Sequence, residues 1–597
     1  MFMAMFFVAA PAFCQQTSEQ LAAYYFNNGN FAEAAQLYES LYKRTSNKYY
    51  YQRLLSSYVN DNQYRDAIKL VEDRKRTNPN ELSLYVDEGH IYLLQRQDKR
   101  ATRCFNKAIE SLGTNLQPVP DLAQAFSSVG RYDYAVQTYK TIRQKTHNNY
   151  LYFNELVGLY QLMGDYEAMT REYFDLLDNQ PSMLSSVQIS MQRTLQEAPD
   201  DKLGEGVKRA LVDRVRRHPE NRTYLEMMVW FSLQQNDFEF AMDQAEAVEA
   251  RFPDMGSELV MRVAKIAQNN DAYDVASRGY RHLVVKGVAS PYYFDSRVGE
   301  LEVEYARLNK AYSVDSKSVL VLKDKFLSAL AELGKTESTV PLMRHYAELV
   351  AYHSDDIQSA VDMLDDALEI RNLKPHLRDE VKLDLGDMLL FAGQSWDASL
   401  LYMQVDKANK NDAIGAMAKF RNAKLSYYSH DFKWAKSQLD VLRASTSKLV
   451  ANDAMELSLL ISDNMEDDSS YTTLAVFADA DLLLFRQMLD SAWAMYDRVA
   501  FGNLSHPLLD DVLLRKAQIR MKQARYTEAD SLLNRLVEFY PYDITADDAL
   551  FLRAQLNEDK LDRQDVARQC YEKILLDYPS SLYVDQARKR YNALKTK

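Results

Sequence analysis

Glycine and proline are scarce in this chain of 597 residues. Its 17 Gly and 14 Pro amount to about 5% of the chain, against a usual combined share of roughly 12%. That excludes collagen-like and proline-rich disordered sequence. It also argues against barrels or sandwiches of many short strands, which turn on these residues. Cysteine is scarcer still: Cys14, Cys104 and Cys570 are too few for a disulfide scaffold, and the last two read as structural thiols. The nine His fall into no H-x-x-H or H-E-x-x-H spacing, so no metal site is expected. No later apolar run approaches the roughly 20 residues that cross a bilayer. The best, Leu474 to Phe485, is broken by Asp479 and Asp481. An excess of positive charge is missing as well. The net charge of −13 repels a phosphate backbone, so nucleic acid is not an expected partner. The basic runs at Arg74 to Arg76 and at Arg214, Arg216 and Arg217 precede Pro79 and Pro219. They read as helix C-terminal charge on solvated faces.

What is present begins with an uncharged apolar segment, Met1 to Gln16. It is too short to span a membrane and reads as a secretory signal. Ala12 and Cys14 supply the small residues for cleavage before Gln15, although no Lys or Arg precedes the apolar run. Lipidation of Cys14 is the alternative use of the same segment. The expectation is an exported protein, periplasmic or outer-membrane-associated, touching membrane at most peripherally or by a lipid anchor.

A repeat then runs through the chain. Gly29, Phe31, Ala34 and Tyr38 recur as Gly130, Tyr132, Ala135 and Tyr139, and as Gly164, Tyr166, Met169 and Tyr173. Upstream, Leu21 with Tyr25 recurs as Leu122 with Phe126 and Leu156 with Tyr160. Leu54, Tyr58, Tyr64, Ala67 and Pro79 form another unit, and Gly89, Tyr92, Ala101, Phe105 and Ala108 a further one. The spacing suits two helices joined at a tight turn. Ala fits where the axes pass closely, the aromatic four residues on fills the same face, and Pro ends the second helix. The pattern fades between Tyr292 and Pro341 and resumes at Ala398, Ala435, Ala492, Ala529 and Ala567.

These units resemble the tetratricopeptide repeat (TPR) family. The resemblance implies an all-α fold, a right-handed α-solenoid of stacked TPR and TPR-like helix–turn–helix units. The expected organisation is a signal over 1–16, an N-terminal TPR array over 17–185 and degenerate TPR-like repeats over 186–345. Central TPR-like repeats follow over 346–505, then C-terminal TPR repeats with a capping helix over 506–597.

The strings that imitate active sites lack their companions. Gly334-Lys335-Thr336 has Ala329 where a phosphate-binding loop needs Gly. Ser445-Thr446-Ser447-Lys448 and Ser462-Asp463-Asn464 lack K-T-G and lie too close together for separate elements of one site. His345 and His353 are eight apart without a third ligand, and the pairs Asp365-Asp366 and Asp467-Asp468 read as solvated surface. No enzyme activity, cofactor or metal is expected.

The expected function is therefore a non-enzymatic scaffold or adaptor that binds other proteins, probed on the concave side of its first helices. In the repeat register that side selects Arg53, Asn60, Asp87, His90, Gln124, Asn154 and Gln161. The Lys, Asn and Arg clamp with which some family members hold chaperone C-termini is not matched. The tyrosine clusters Tyr49 to Tyr51, Tyr150 with Tyr152 and Phe153, and Tyr292 to Phe294 read either as packing between units or as a peptide grip. In style the chain is similar to envelope proteins of Bacteroidota, which makes envelope proteins the expected partners. Glycan binding at the outer membrane, or an accessory role in outer-membrane assembly or secretion, are the alternatives.

Overall fold

The computed structural model describes residues 9–197, 202–354, 356–410, 412–443, 448–464, 471–502 and 507–595. The start of the leader, Ser445 to Ser447 and the Asp467–Asp468 pair lie outside the described residues, as does the side chain of Cys14. The described residues hold thirty-two α-helices, two 3-10 turns and no strand. The all-α repeat fold is thus what the chain adopts. Two compact units divide it, Met1–Gln235 and Asn236–Lys597.

In the N-terminal unit five hairpins follow one another: Ala9–Asn27 with Phe31–Thr45, Lys48–Asn60 with Tyr64–Thr77, Ser83–Leu94 with Asp98–Glu110, Pro118–Ser128 with Tyr132–Thr146, and Phe153–Met163 with Tyr166–Asn179. Each turns on one residue with positive φ, at Gly29, Asn62, Arg96, Gly130 and Gly164. The residue after it donates its N–H back to a first-helix carbonyl five residues earlier. Asn30 to Tyr25, Gln63 to Tyr58, Gln97 to Tyr92, Arg131 to Phe126 and Asp165 to Tyr160 all make this bond, at 2.8–2.9 Å. This is the helix-ending arrangement that a left-handed residue allows. Glycine is the unstrained choice there, and Arg96 shows that the turn forms without it.

The repeat signature is the core. Ala34, Ala67, Ala101 and Ala135 are fully buried, as are Tyr38, Val71 and Phe105 one helical turn later. Gly89 on a first helix lies under the Phe105 ring, where a Cβ would stand 2.3 Å from the ring edge. Leu21 is the exception. It is 45% exposed, and its neighbour Ala22 is buried instead. The basic runs do end helices, but Arg74 is not solvated. It is buried, donates to Glu81 at 2.8 Å, and lies 4.5 Å from the Tyr51 ring. Glu81 precedes the next hairpin, so the pair ties one repeat to the next. Arg214 likewise pairs with Asp175 and Asp178 of the hairpin before it.

The C-terminal unit repeats the scheme with longer periods. Its turns sit at Asp271, Gly393, His430, Gln487, Ala524 and Asp562. Ala276, Ala398, Ala435, Ala492, Ala529 and Ala567 are all fully buried. A hairpin without a glycine turn or a second-helix aromatic stands between them, Val340–His353 with Ile357–Leu368, packed on Ala360 and Leu364. Trp396 does not join the core and is 90% exposed. Gly386 under Tyr402 and Gly299 under Tyr280 repeat the close approach of Gly89, each with a Cβ position 2.5 Å from the ring. The last helix among the described residues is Val584–Lys595. Cys104 and Cys570 are both free thiols that burial pushes up, Cys104 to about 11.

Candidate functional site

A first helix of each hairpin packs one face on its partner. Along the same helix, beside that packed face, residues spaced i, i+3 and i+7 lie in line. In the N-terminal unit this line holds the residues the sequence selects. Arg53 and Asn60 lie on Lys48–Asn60, Asp87 and His90 on Ser83–Leu94, Gln124 on Pro118–Ser128, and Asn154 and Gln161 on Phe153–Met163. Asn60, Gln124, Asn154 and Gln161 are exposed. Arg53 is half-buried over the rings of Phe26 and Tyr49, at 5.1 and 5.5 Å. Asp87 accepts a hydrogen bond from the Tyr51 hydroxyl at 2.7 Å, and burial pushes its carboxyl up to about 6. Burial pushes the His90 imidazole down. The seven residues stand on four successive hairpins, and no direct contact joins them into one cluster. The tyrosines mostly pack: Tyr50 and Tyr51 are buried, with hydroxyls on Glu19 and Asp87.

Carried into the C-terminal unit, the same line falls on a charged network. It holds His345, Glu348 and Tyr352 on Val340–His353, and Asp384, Asp387 and Phe391 on Pro375–Phe391. It continues through Arg421, Lys424 and Tyr428 on Ala413–Tyr428, Asp481 and Phe485 on Thr472–Phe485, and Arg515, Gln518 and Lys522 on Leu509–Lys522. Arg421 stands 2.9 Å from Asp387 and 3.6 Å from Asp384. Arg344 spans Asp384 and Glu380, and burial pushes the carboxyls of Asp384 and Asp387 up. Tyr402 donates to Asp387 at 2.6 Å. Asp481 is fed by Tyr427, Tyr496 and Arg515. His345 stacks on Tyr305 at 4.4 Å and contacts Glu348. It takes no part with His353 in a metal group, and no set of potential metal ligands converges among the described residues.

Part of this line, Tyr352, Lys424, Tyr428, Asp481, Arg515 and Lys522, borders a cavity of about 930 Å³. Phe485 lies at its wall among Tyr352, Phe391 and Tyr428, at ring distances of 6.2–6.3 Å. The circuit around the cavity is completed by the turn after Tyr293–Asn309. There Tyr312 donates to Asp559 at 3.3 Å across 247 residues of chain, and Ser313 meets the Tyr526 hydroxyl at 2.9 Å. The Tyr312 and Tyr526 rings meet edge to face at 6.4 Å. The register that selects Arg53 to Gln161 covers the N-terminal hairpins alone and does not reach this set. The signal was present, because Asp384, Asp387, Arg421 and Lys424 keep the offset that picked Asp87 and His90.

No protein-family model matches the chain, and no curated protein matches it. Among solved structures it is similar to Naa15/Naa10 bound to HypK-THB, over 98% of this chain and 97% of that one, at 13% identity and a TM-score of 0.26. It is similar to a tetratricopeptide repeat protein from Parabacteroides merdae ATCC 43184 over 50% of this chain and 98% of that one, at 12% identity and a TM-score of 0.27. The Cut9–Hcn1 hetero-tetramer of APC/C aligns over 97% and 96%, at 10% identity and a TM-score of 0.25. These superpositions are loose, and the fold stands on the hairpins described above.

Proposed function

We propose that this chain is a non-enzymatic scaffold that holds other proteins against the first-helix faces of its hairpins, and that it works in the cell envelope after export. The observation that carries the reading is the exposed polar line of Asn60, Gln124, Asn154 and Gln161 on successive first helices. A face repeated at fixed intervals suits an extended peptide or a helix, because each hairpin offers it one more polar contact. The apolar Met1 to Gln16 segment supports export. The alternative roles in glycan binding and in outer-membrane assembly or secretion gain no particular support from these residues.

The test is capture of partners from membrane and soluble fractions with the full chain, identified by mass spectrometry. Asn60→Ala with Gln124→Ala should weaken a bound protein while leaving the melting temperature unchanged. A partner held equally well by the double variant moves the contact off this face. N-terminal sequencing of the cellular protein addresses export, where an intact Met1 in the cytoplasm would overturn it.

A further inference from the structure

A smaller pocket of the C-terminal unit, about 230 Å³, is lined by carboxylates from three separate stretches. Glu456 and Asp463 come from Lys448–Asp463, Asp510 and Asp511 from the first turn of Leu509–Lys522, and Asp543 from the turn before Ala546–Asp559. Among the described residues, none of these carboxylates lies within 4.0 Å of a Lys or Arg nitrogen. Arg515 is the cation that faces Asp511 and Glu456, and it is already committed to Asp481 at 3.3 Å. A helix N-terminus carries roughly half a positive charge, too little to answer both first-turn acids. Asp510 is 5% exposed and accepts from Thr545 Oγ1 at 2.8 Å. Burial pushes the carboxyls of Asp510 and Asp511 up, and Asp510 pushes Asp511 further.

An independent observation points to a missing donor. Asn464 also lines the pocket and is 5% exposed. Its Nδ2 donates to the Leu460 carbonyl at 2.8 Å, back toward the helix it follows. That turns Oδ1 away from the helix, and among the described residues this oxygen has no hydrogen-bond partner. Native structures rarely leave a buried acceptor unmet. At the rim stand Tyr542, almost wholly exposed, and Ile544, more than half exposed.

We infer that this pocket takes an arginine side chain of a partner protein, its guanidinium set among the pocket carboxylates and the Asn464 amide oxygen, with an apolar neighbour of that arginine laid on Tyr542 and Ile544. The N–H groups of a guanidinium fork outward and serve several acceptors at once. A metal ion needs ligands gathered on one point, and no such set converges among the described residues. The volume lies below the roughly 300–1,000 Å³ of small-molecule sites, so it suits one side chain and not a whole ligand. The pocket shares no residue with the polar line from Arg53 to Gln161, so each reading stands or falls alone.

The experiment uses the full chain and a rhodamine-labelled, capped peptide carrying one arginine between leucines, read by fluorescence anisotropy. One saturable site per chain is expected, weakened by salt. The same peptide with citrulline for arginine keeps the shape and loses the charge. It should bind at least about tenfold more weakly. Asp511→Asn with Asp543→Asn should weaken the arginine peptide to a similar degree, whereas Asp362→Asn with Asp365→Asn, exposed acids outside the pocket, should not. Asn464→Leu should weaken it without lowering the melting temperature, because leucine leaves no oxygen unmet. Tyr542→Ser with Ile544→Ser should weaken the arginine and citrulline peptides alike. Asn60→Ala with Gln124→Ala should leave the peptide bound, which separates this site from the polar line. If the aspartate variant fails to fold, the citrulline comparison on the wild-type chain and the variant at the exposed Tyr542 and Ile544 still decide. Equal binding of the citrulline peptide, unchanged affinity in the pocket variants, or displacement by spermidine or calcium chloride at lower concentration than by unlabelled peptide would each overturn the inference.

Discussion

Tyr38 and Tyr402 occupy the same place in the repeat, four residues after a buried alanine on a second helix, and both are fully buried. They differ in what their hydroxyls meet. Tyr402 donates to Asp387. Among the described residues the Tyr38 hydroxyl has no hydrogen-bond partner, and fifteen residues before it, where Asp387 precedes Tyr402, stands Ala23. The N-terminal unit thus uses the position to fill space, while the C-terminal unit also uses it to hold a carboxylate at the cavity network. The hydrophobic pattern specifies where a ring goes. In this pair, the residue fifteen positions upstream decides whether that ring becomes part of a polar network.

The largest expected effect breaks the network where the comparison is sharpest. Asp387→Ala removes a partner from Arg421 and from Tyr402 together and should cost about 3 kcal/mol, read by denaturant unfolding. A loss below about 1 kcal/mol would mean that Asp384 alone satisfies Arg421. Next, Ala135→Leu forces a larger side chain between close helices of the N-terminal unit and should cost about 2 kcal/mol. Hydrogen exchange should show the damage confined to neighbouring hairpins. A variant that melts like the wild type would refute the register there.

The comparison itself is tested by one substitution made twice. Tyr402→Phe should lose about 1.5 kcal/mol, as expected for a hydrogen bond to a charged acceptor. Tyr38→Phe should gain about 1 kcal/mol by removing an unsatisfied buried hydroxyl. Effects of the same sign would dissolve the distinction between the units. The smallest effect concerns Asp87. Its folded carboxyl is raised by burial from 3.8 to about 6, so its stabilising contribution is complete below pH 3.8 and is lost as pH rises through about 6. Asp87→Asn should abolish that part of the pH slope and gain about 1 kcal/mol at neutral pH. A slope unchanged between pH 4 and 6 would count against this assignment.

Local rules made the N-terminal hairpins legible before any coordinates. Ala34, Ala67, Ala101 and Ala135 need only their own helix pair to explain them, and all four are buried as the spacing demands. The Val340–His353 and Ile357–Leu368 hairpin escaped because neither a turn glycine nor an aromatic marks it. Arg74 looks solvated in the sequence because its partner Glu81 belongs to the next repeat. Arg53, Asn60, Asp87, His90, Gln124, Asn154 and Gln161 lie on first helices, yet the cavity is out of reach of the sequence, for a different reason. Its walls come from segments between Leu308 and Leu552, and no local period encodes how so many hairpins return on themselves.

The contacts of Tyr312 and Ser313 with Asp559 and Tyr526 also constrain how this chain can change length. An array without such a clasp loses or duplicates a hairpin and merely becomes shorter or longer. A closed circuit has a fixed number of members. Deleting one hairpin between Ser316 and Lys522, or inserting one, would carry Tyr526 and Asp559 away from Tyr312. The repeats of this segment are therefore bound to a common count, as staves are in a barrel of given girth.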